Sequence, residues 1–318
     1  MWAVPTASCL GRRKGCALST ALAPRLRSEG GKRIESAPEW TRIAPGAYAD
    51  SEQWELADLE QRHLTQIAAA ARRKGDAVIL LGASAALAQG LPVVGRLPKR
   101  VQVLRQGSQR GRTAVFDRHC RDLKRVVDAG GVLASDVVTT CLELARSGDL
   151  VQAVCAMDHA LREGLCERGE LEAALAELGE GTRGVCAARS AVHLTDGLAE
   201  SPGESLSRVR MWQAGLPRPR LQVTVDTRLG CFRVDFLWQL GDGAHVVGEF
   251  DGMVKYHRAS FGVAAEETVF EERRRERALE SCGAVVARWT WADAWHDGGA
   301  RMLEALADVG VRPTGRQW

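Results

Sequence analysis

The run "AHVVGEFDG", residues 244–252, does most to limit what this chain can fold into. An apolar strand of this kind belongs inside a sheet, yet it leads directly into two carboxylates, Glu249 and Asp251. Acids at the end of a buried strand are costly unless they bind something. The segments around it are equally regular. "SPGESLSRVRMWQAG" reads as a helix with Ser201 as N-cap and Gly215 as its stop. "RLQVTVDT" and "CFRVDFLW" read as strands. "EETVFEERRRERALESCG" is a charged helix closed by Gly283, "AVVARWTW" is a further strand, and "ADAWHDGGARMLEALADVG" is a helical tail. The order α-β-β-β-α-β predicts an α/β (α+β) domain whose mixed sheet has helices on both faces.

Strand alternation places Val234 and Phe236 on one face with Asp235 on the other, and sets Glu249 and Asp251 together with Phe250 pointing away. The short "GDG" turn at 241–243 predicts an antiparallel hairpin that brings Asp235 beside Glu249 and Asp251. Three carboxylates on one face repel unless a cation joins them. Hard oxygen donors suit Mg²⁺. Against this stands the ordinary reading, in which an acid at a strand end is solvated or ion-paired.

Upstream, "TRIAPGAYA" is strand-like and "LADLEQRHLTQIAAAARRKG" is a helix ending at Gly75. A short helix begins near Ser84, and "RVQVL" and "TAVF" are strand-like pieces. Ser135 is the expected N-cap of "DVVTTCLELARSG", and "DLVQAVCAMDHALREG" is a second helix with Asp158 as a core acid. Residues 1–35 carry no sustained period and are expected to be disordered. The expected boundaries are 1–35, a smaller α+β and helical region at 36–190, and the mixed-sheet domain at 191–318.

The formal net charge of +3 argues neither for nor against nucleic acid. Residues 96–112 hold six Lys or Arg and no acid, which suits either phosphate contact or a solvated loop. Nine dispersed cysteines without paired spacing predict free thiols in a reducing, cytoplasmic compartment. No apolar run is long enough for a membrane helix, and the basic cluster after the first apolar stretch does not read as a signal peptide.

The motifs "ESPGES", "LQVTV", "RVDFLW", "VVGEFDG", "EERRRERALESCG" and "VVARWTW", across roughly residues 195–295, resemble the restriction-endonuclease-like domain of very-short-patch-repair endonucleases, within the PD-(D/E)xK superfamily. The resemblance implies a metal-dependent endonuclease that hydrolyses phosphodiester bonds in DNA with Mg²⁺ or Mn²⁺. It matches Asp235 to the first metal-binding acid, Glu249 to the second and Asp251 to a third motif position, so that all three are expected metal ligands. Glu204 falls where the first-helix acid lies and Gln222 where a strand glutamine faces the site. The superfamily's usual lysine is absent at position 251. Lys255, Arg274 or Arg275 are the candidates to supply its charge, and His257 is a candidate acid-base group.

The upstream segment from "EWTRIAPGAYA" through "SAALAQGLP", with the helices up to residue 165, is similar to actinobacterial proteins related to AbiEi-type antitoxins. Those begin with a winged helix-turn-helix, of which only "EWTRIAPGAYA" resembles a part, the closing wing; a misplaced start or a lost DNA reader is the expected reason. This second resemblance implies the alternative function, a non-catalytic DNA-binding regulator or antitoxin with a cognate toxin.

Overall fold

The computed structural model describes residues 17–30, 34–35, 37–74, 78–105, 107, 111–241, 243–252, 274–275, 277–315 and 317–318. The chain is a mixed α+β protein with three sheets among the described residues, and it divides into two compact units between His193 and Leu194. Among the described residues no helix is long and apolar enough to cross a membrane, and the seven described cysteines are all free thiols.

In the first unit, β1 (Arg25–Leu26) leads into α1 (Arg27–Gly30), and β2 (Trp40–Ala44) and β3 (Ala47–Asp50) form a hairpin. Its turn runs through Pro45 and Gly46, whose φ of 71° suits glycine. β1 joins the outer edge of β3, pairing Arg25 with Tyr48. Residues 25–30 are therefore ordered, contrary to the expectation of a disordered start. Two tertiary contacts hold β1: the Arg25 guanidinium lies 4.7 Å from the Trp40 ring centroid, and Leu26 packs on the small Ala44–Ala47–Ala69 cluster. Neither contact leaves a period in the sequence.

After α2 (Ser51–Leu56) and α3 (Leu59–Lys74), the strands β4 (Ile79–Leu80), β5 (Val101–Leu104), β6 (Phe116–His119), β7 (Val126–Asp128) and β8 (Leu133–Ser135) form a five-stranded sheet in the order β6-β5-β4-β8-β7. Helix α4 (Gly82–Ala88) follows β4 directly, and its residues from Ala83 onward are buried. The helices α5 (Val137–Arg146), α6 (Leu150–Arg162), α7 (Arg168–Ala176) and α8 (Val185–Leu194) follow β8. Asp136, not Ser135, caps α5, its carboxylate accepting from the Thr139 N–H at 3.1 Å. Ser135 still belongs to β8, paired with Val126, and its hydroxyl meets that of Thr140. Asp158 is buried in α6, as expected.

In the second unit, α9 (Pro202–Gln213) precedes β9 (Arg220–Thr227), β10 (Gly230–Gln239) and β11 (His245–Asp251). β12 (Ala284–Thr290), α10 (Trp291–Trp295) and α11 (Ala300–Asp308) complete it. Ser201 caps α9 by accepting from the Glu204 N–H at 3.2 Å. The sheet order is β12-β11-β10-β9, antiparallel except for the parallel pair β11–β12, so it is a mixed sheet. β10 and β11 form the expected hairpin, with Leu237 opposite Val247 and Leu240 N–H bonded to the Ala244 carbonyl. Of the expected charged helix, residues 274–275 and 277–281 are described and helical, and 253–273 and 276 lie outside the described residues.

The sheet is buried on both faces. Val234, Leu237, Val247 and Ala284 pack with Leu279 on one side. Phe236 stacks with Trp238 and packs at a tilt against Trp289 on the other, and Trp289 Nε1 donates to Ser207 Oγ of α9 at 2.8 Å. Such aromatic pairs contribute about 0.5–1.5 kcal/mol each beyond their buried area. Gly248 leaves room for this stack, since a Cβ there would stand 2.6 Å from Trp289 Cη2. Val234 and Phe236 thus lie on opposite sides, contrary to strict alternation. Trp291 does not share a strand face with Trp289: Thr290 ends the strand by capping α10, and Trp291 is 36% exposed where Trp289 is 2% exposed.

Candidate functional site

The change of phase in β10 centres on Asp235, and its partner strand is distorted at the same level. β9 pairs Val223 with Val234 and Leu221 with Phe236, while Gln222, between them, has φ of 50°. A left-handed backbone on a residue other than glycine is uncommon and costs about 1–3 kcal/mol, so it persists only where surrounding contacts enforce it. The Gln222 amide supplies such contacts. Its Nε2 donates to Glu204 Oε2 at 2.8 Å and to Asp235 Oδ1 at 3.3 Å, so one amide joins two acids from α9 and β10.

Glu204 reaches this point because α9 lies close against β11. A Cβ on Gly203 would come within 2.0 Å of Phe250 Cζ, so only glycine lets the Phe250 ring seat under the first turn of the helix. The Glu204 carboxylate also accepts from the Glu200 N–H (2.9 Å) and the Ser201 hydroxyl (2.7 Å). One side chain thus serves as a first-turn acid of α9 and accepts the Gln222 amide that also reaches Asp235. Glu200 in turn pairs with Arg233 at 2.6 Å. Neither Glu200 nor Arg233 was a sequence candidate; the only signal for Glu200 was its place four residues ahead of Glu204.

Asp235 Oδ2 accepts the Phe250 N–H at 2.9 Å. That side chain takes a backbone donor just past the last residue pair of the β10–β11 ladder, Phe236 with Gly248. Burial raises the Asp235 carboxyl above its ordinary pKa, opposed by the Phe250 N–H, the Gln222 amide and the charge of Arg275. Burial raises Glu204 as well, and the nearby Asp235 charge adds to it, against the pull of its three hydrogen bonds. Both carboxyls are thus shifted toward the neutral form by burial, against the hydrogen bonds that each accepts.

Glu249 lies on the opposite side of β11 from Phe250. Its Oε1 receives Arg275 at 2.8 Å, and the same guanidinium nitrogen donates to the Arg233 carbonyl at 2.5 Å. Arg275 thus pairs with Glu249. Asp251 is exposed at the end of β11 and takes no part in these hydrogen bonds. Lys255 and His257 lie outside the described residues. Among the described residues, no three His, Cys, Asp or Glu side chains are grouped so as to hold a metal ion.

No family model matches the chain. It is similar to the uncharacterized proteins MT2308 and Rv2248 of Mycobacterium tuberculosis, strains CDC 1551 / Oshkosh and H37Rv, each 37% identical over 165 residues. That alignment covers 52% of this chain and spans 59% of the relatives' length. A crystal structure of the RV2827C protein from the same organism is 15% identical and aligns with a TM-score of 0.33 over 58% of this chain and 69% of its own. A likeness that low supports no conclusion about fold or function.

Proposed function

We propose that the unit Leu194–Trp318 is a nuclease-type domain that hydrolyses phosphodiester bonds in DNA with the help of Mg²⁺ or Mn²⁺. The observation that carries this reading is the Gln222 amide bridging Glu204 and Asp235 from a left-handed backbone. A fold holds strain and two buried acids together more readily for chemistry than for stability.

The donor chemistry fits a hard divalent ion in part. Asp235 and Glu249 present carboxylate oxygens on adjacent strands, and a cation would offset the burial that raises Asp235. These two residues would hold the ion, with Asp251 available at the strand end. When bound, such an ion activates water and stabilises charge on a phosphodiester. Glu204 and Gln222 act as positioning residues, fixing one oxygen of Asp235 while the Phe250 N–H fixes the other. Arg275 balances Glu249 and supplies the positive charge that position 251 lacks. Lys255 remains a candidate to polarise water or phosphate.

One observation favours a second reading. Arg275 already neutralises Glu249, as a counter-ion does in a domain that no longer binds metal. On that reading the protein is a non-catalytic DNA-binding regulator of the antitoxin kind, with a cognate toxin as partner. The deciding experiment incubates the full chain with supercoiled plasmid and Mg²⁺ or Mn²⁺, beside Asp235→Ala and Glu249→Ala. Cleavage by the wild type that both substitutions abolish supports the nuclease. DNA binding without cleavage in any variant supports the regulator.

A further inference from the structure

The first unit contains a cavity of about 260 Å³ beside the β2–β3 hairpin. Arg42 of β2, Gln66 of α3 and Lys99 line it, together with the apolar Ile43, Pro45 and Val115. No acidic side chain is among its described lining residues. The neighbouring cations of this unit are committed elsewhere. Arg27 pairs with Glu35, Arg72 with Glu29 and Arg112 with Asp117, and Arg100 Nε donates to the Thr113 carbonyl at 2.8 Å. Arg42 and Lys99 make no ion pair or hydrogen bond to a described residue, and the Gln66 amide makes none. Two exposed cations without an ion pair to a described residue and a half-buried amide therefore border one small, partly apolar space.

We propose that this cavity binds a phosphate group, as a site separate from the acids of the second unit and independent of the nuclease reading. Three features select that chemistry. A fork-shaped guanidinium, a point-charge ammonium and a neutral amide are all donors, which suits an oxyanion. A phosphomonoester carries about −1.5 to −2 near neutral pH and so balances both cations, whereas a carboxylate would leave one of them uncompensated. The half-buried apolar residues Ile43 and Val115 leave the two cations and the amide as the polar part of its lining. The volume, 260 Å³, falls just under the range of about 300–1,000 Å³ typical of drug-sized ligands, so the space suits a phosphate group with little attached. The cavity also ties together two stretches that the sequence leaves unrelated, the hairpin "TRIAPGAYA" and the acid-free run 96–112, of whose described residues Lys99 alone lines it.

The phosphate could belong to a free nucleotide or to the 5′ end of a nucleic acid, and the test separates these sources. The full chain is titrated by calorimetry, in phosphate-free buffer at neutral pH, with inorganic phosphate, AMP and adenosine. Binding of phosphate and AMP without adenosine is expected. Arg42→Gln and Lys99→Gln should each weaken it about tenfold, as loss of a charge-assisted hydrogen bond does. Arg42→Lys should restore part of the loss, and Arg112→Gln, an exposed and already paired arginine, should leave affinity unchanged. Fluorescence anisotropy then compares duplexes with a 5′-phosphate and a 5′-hydroxyl. Preference for the phosphorylated duplex, lost in Arg42→Gln, assigns the site to a nucleic-acid end; equal binding of the two assigns it to a free phosphate compound. Failure of the wild type to bind phosphate or AMP overturns the proposal. So does unchanged affinity in an Arg42→Gln, Lys99→Gln double variant whose thermal midpoint matches the wild type.

Discussion

Each unit buries a small polar network, and the two are resolved in opposite ways. In the first, His63 Nε2 lies 2.9 Å from Ser84 Oγ, which also accepts the Gln102 N–H, and the imidazole hydrogen-bonds to Pro98. If the imidazole donates to the Pro98 carbonyl, Nε2 is the acceptor from the Ser84 hydroxyl, and every group is satisfied in the neutral state. Burial lowers the His63 pKa to about 4, so no charge is held there at neutral pH. In the second, Glu204 and Asp235 share one amide donor, sit beside a strained backbone and resist ionisation. The first network is complete as it stands. In the second, burial shifts two neighbouring carboxyls toward the neutral form, and that difference, more than burial itself, separates a structural polar cluster from a candidate site.

Four measurements would sharpen or break this contrast. The largest effect is expected in DNA cleavage with Mg²⁺, where Asp235→Ala should lower the rate about a thousandfold, corresponding to about 4 kcal/mol of lost charge stabilisation. An active Asp235→Ala protein would remove the site from the second unit. The His63 network predicts the next largest effect. Its folded pKa lies below that of the unfolded chain, so its contribution is present at neutral pH and is lost as pH falls from about 6.5 toward 4. At full extent the loss is of order 3 kcal/mol. Urea unfolding of the first unit across that window should show it, and His63→Phe should abolish that part of the pH dependence.

A third effect concerns positioning. Gln222→Gly accepts the left-handed backbone but removes the amide, so cleavage should fall about 10- to 100-fold with folding stability little changed. Equal activity would mean that the bridge between the acids has no part in the chemistry. The smallest effect has the opposite sign to that of His63. Glu204 and Asp235 have folded pKa values above their unfolded ones. Stability of the second unit is therefore highest at low pH with respect to these groups, and it declines as pH rises from about 4 through the raised values. The shift in thermal midpoint should be a few degrees, smaller in Asp235→Asn and smaller again when Mg²⁺ is added. A midpoint indifferent to Mg²⁺ at neutral pH would favour the regulator.

Much of the second unit was legible from local pattern. The strand runs, the Ser201 cap, the "GDG" hairpin and the mixed character of the sheet follow from period, capping and turn chemistry, which act over a few residues. Pattern also picked out the acids: Glu249 stands in the strand that ends at Asp251, and "RVDFLW" marked Asp235. Local pattern failed where a contact spans the chain. Alternation set Val234 and Phe236 on one face, because it cannot foresee a change of phase opposite the left-handed Gln222 of the neighbouring strand. It grouped Asp251 with Glu249, whereas the hydrogen bonds instead join Asp235 to Glu204 through an amide 13 residues from one and 18 from the other.

The sequence by itself determined the order of elements in the second unit and the residue types available for chemistry, because propensity and burial period are properties of neighbours along the chain. Only the tertiary structure decided which of those residues meet. Gly203 under the Phe250 ring brings Glu204 to the sheet, the left-handed Gln222 turns its amide toward both acids, and Arg275 reaches Glu249 from a helix 26 residues away. The phosphate cavity proposed for the first unit arises in the same way, from Arg42, Gln66 and Lys99 on three separate segments. Each of these contacts depends on close approach between distant segments, and close approach is set by packing, which no local pattern records.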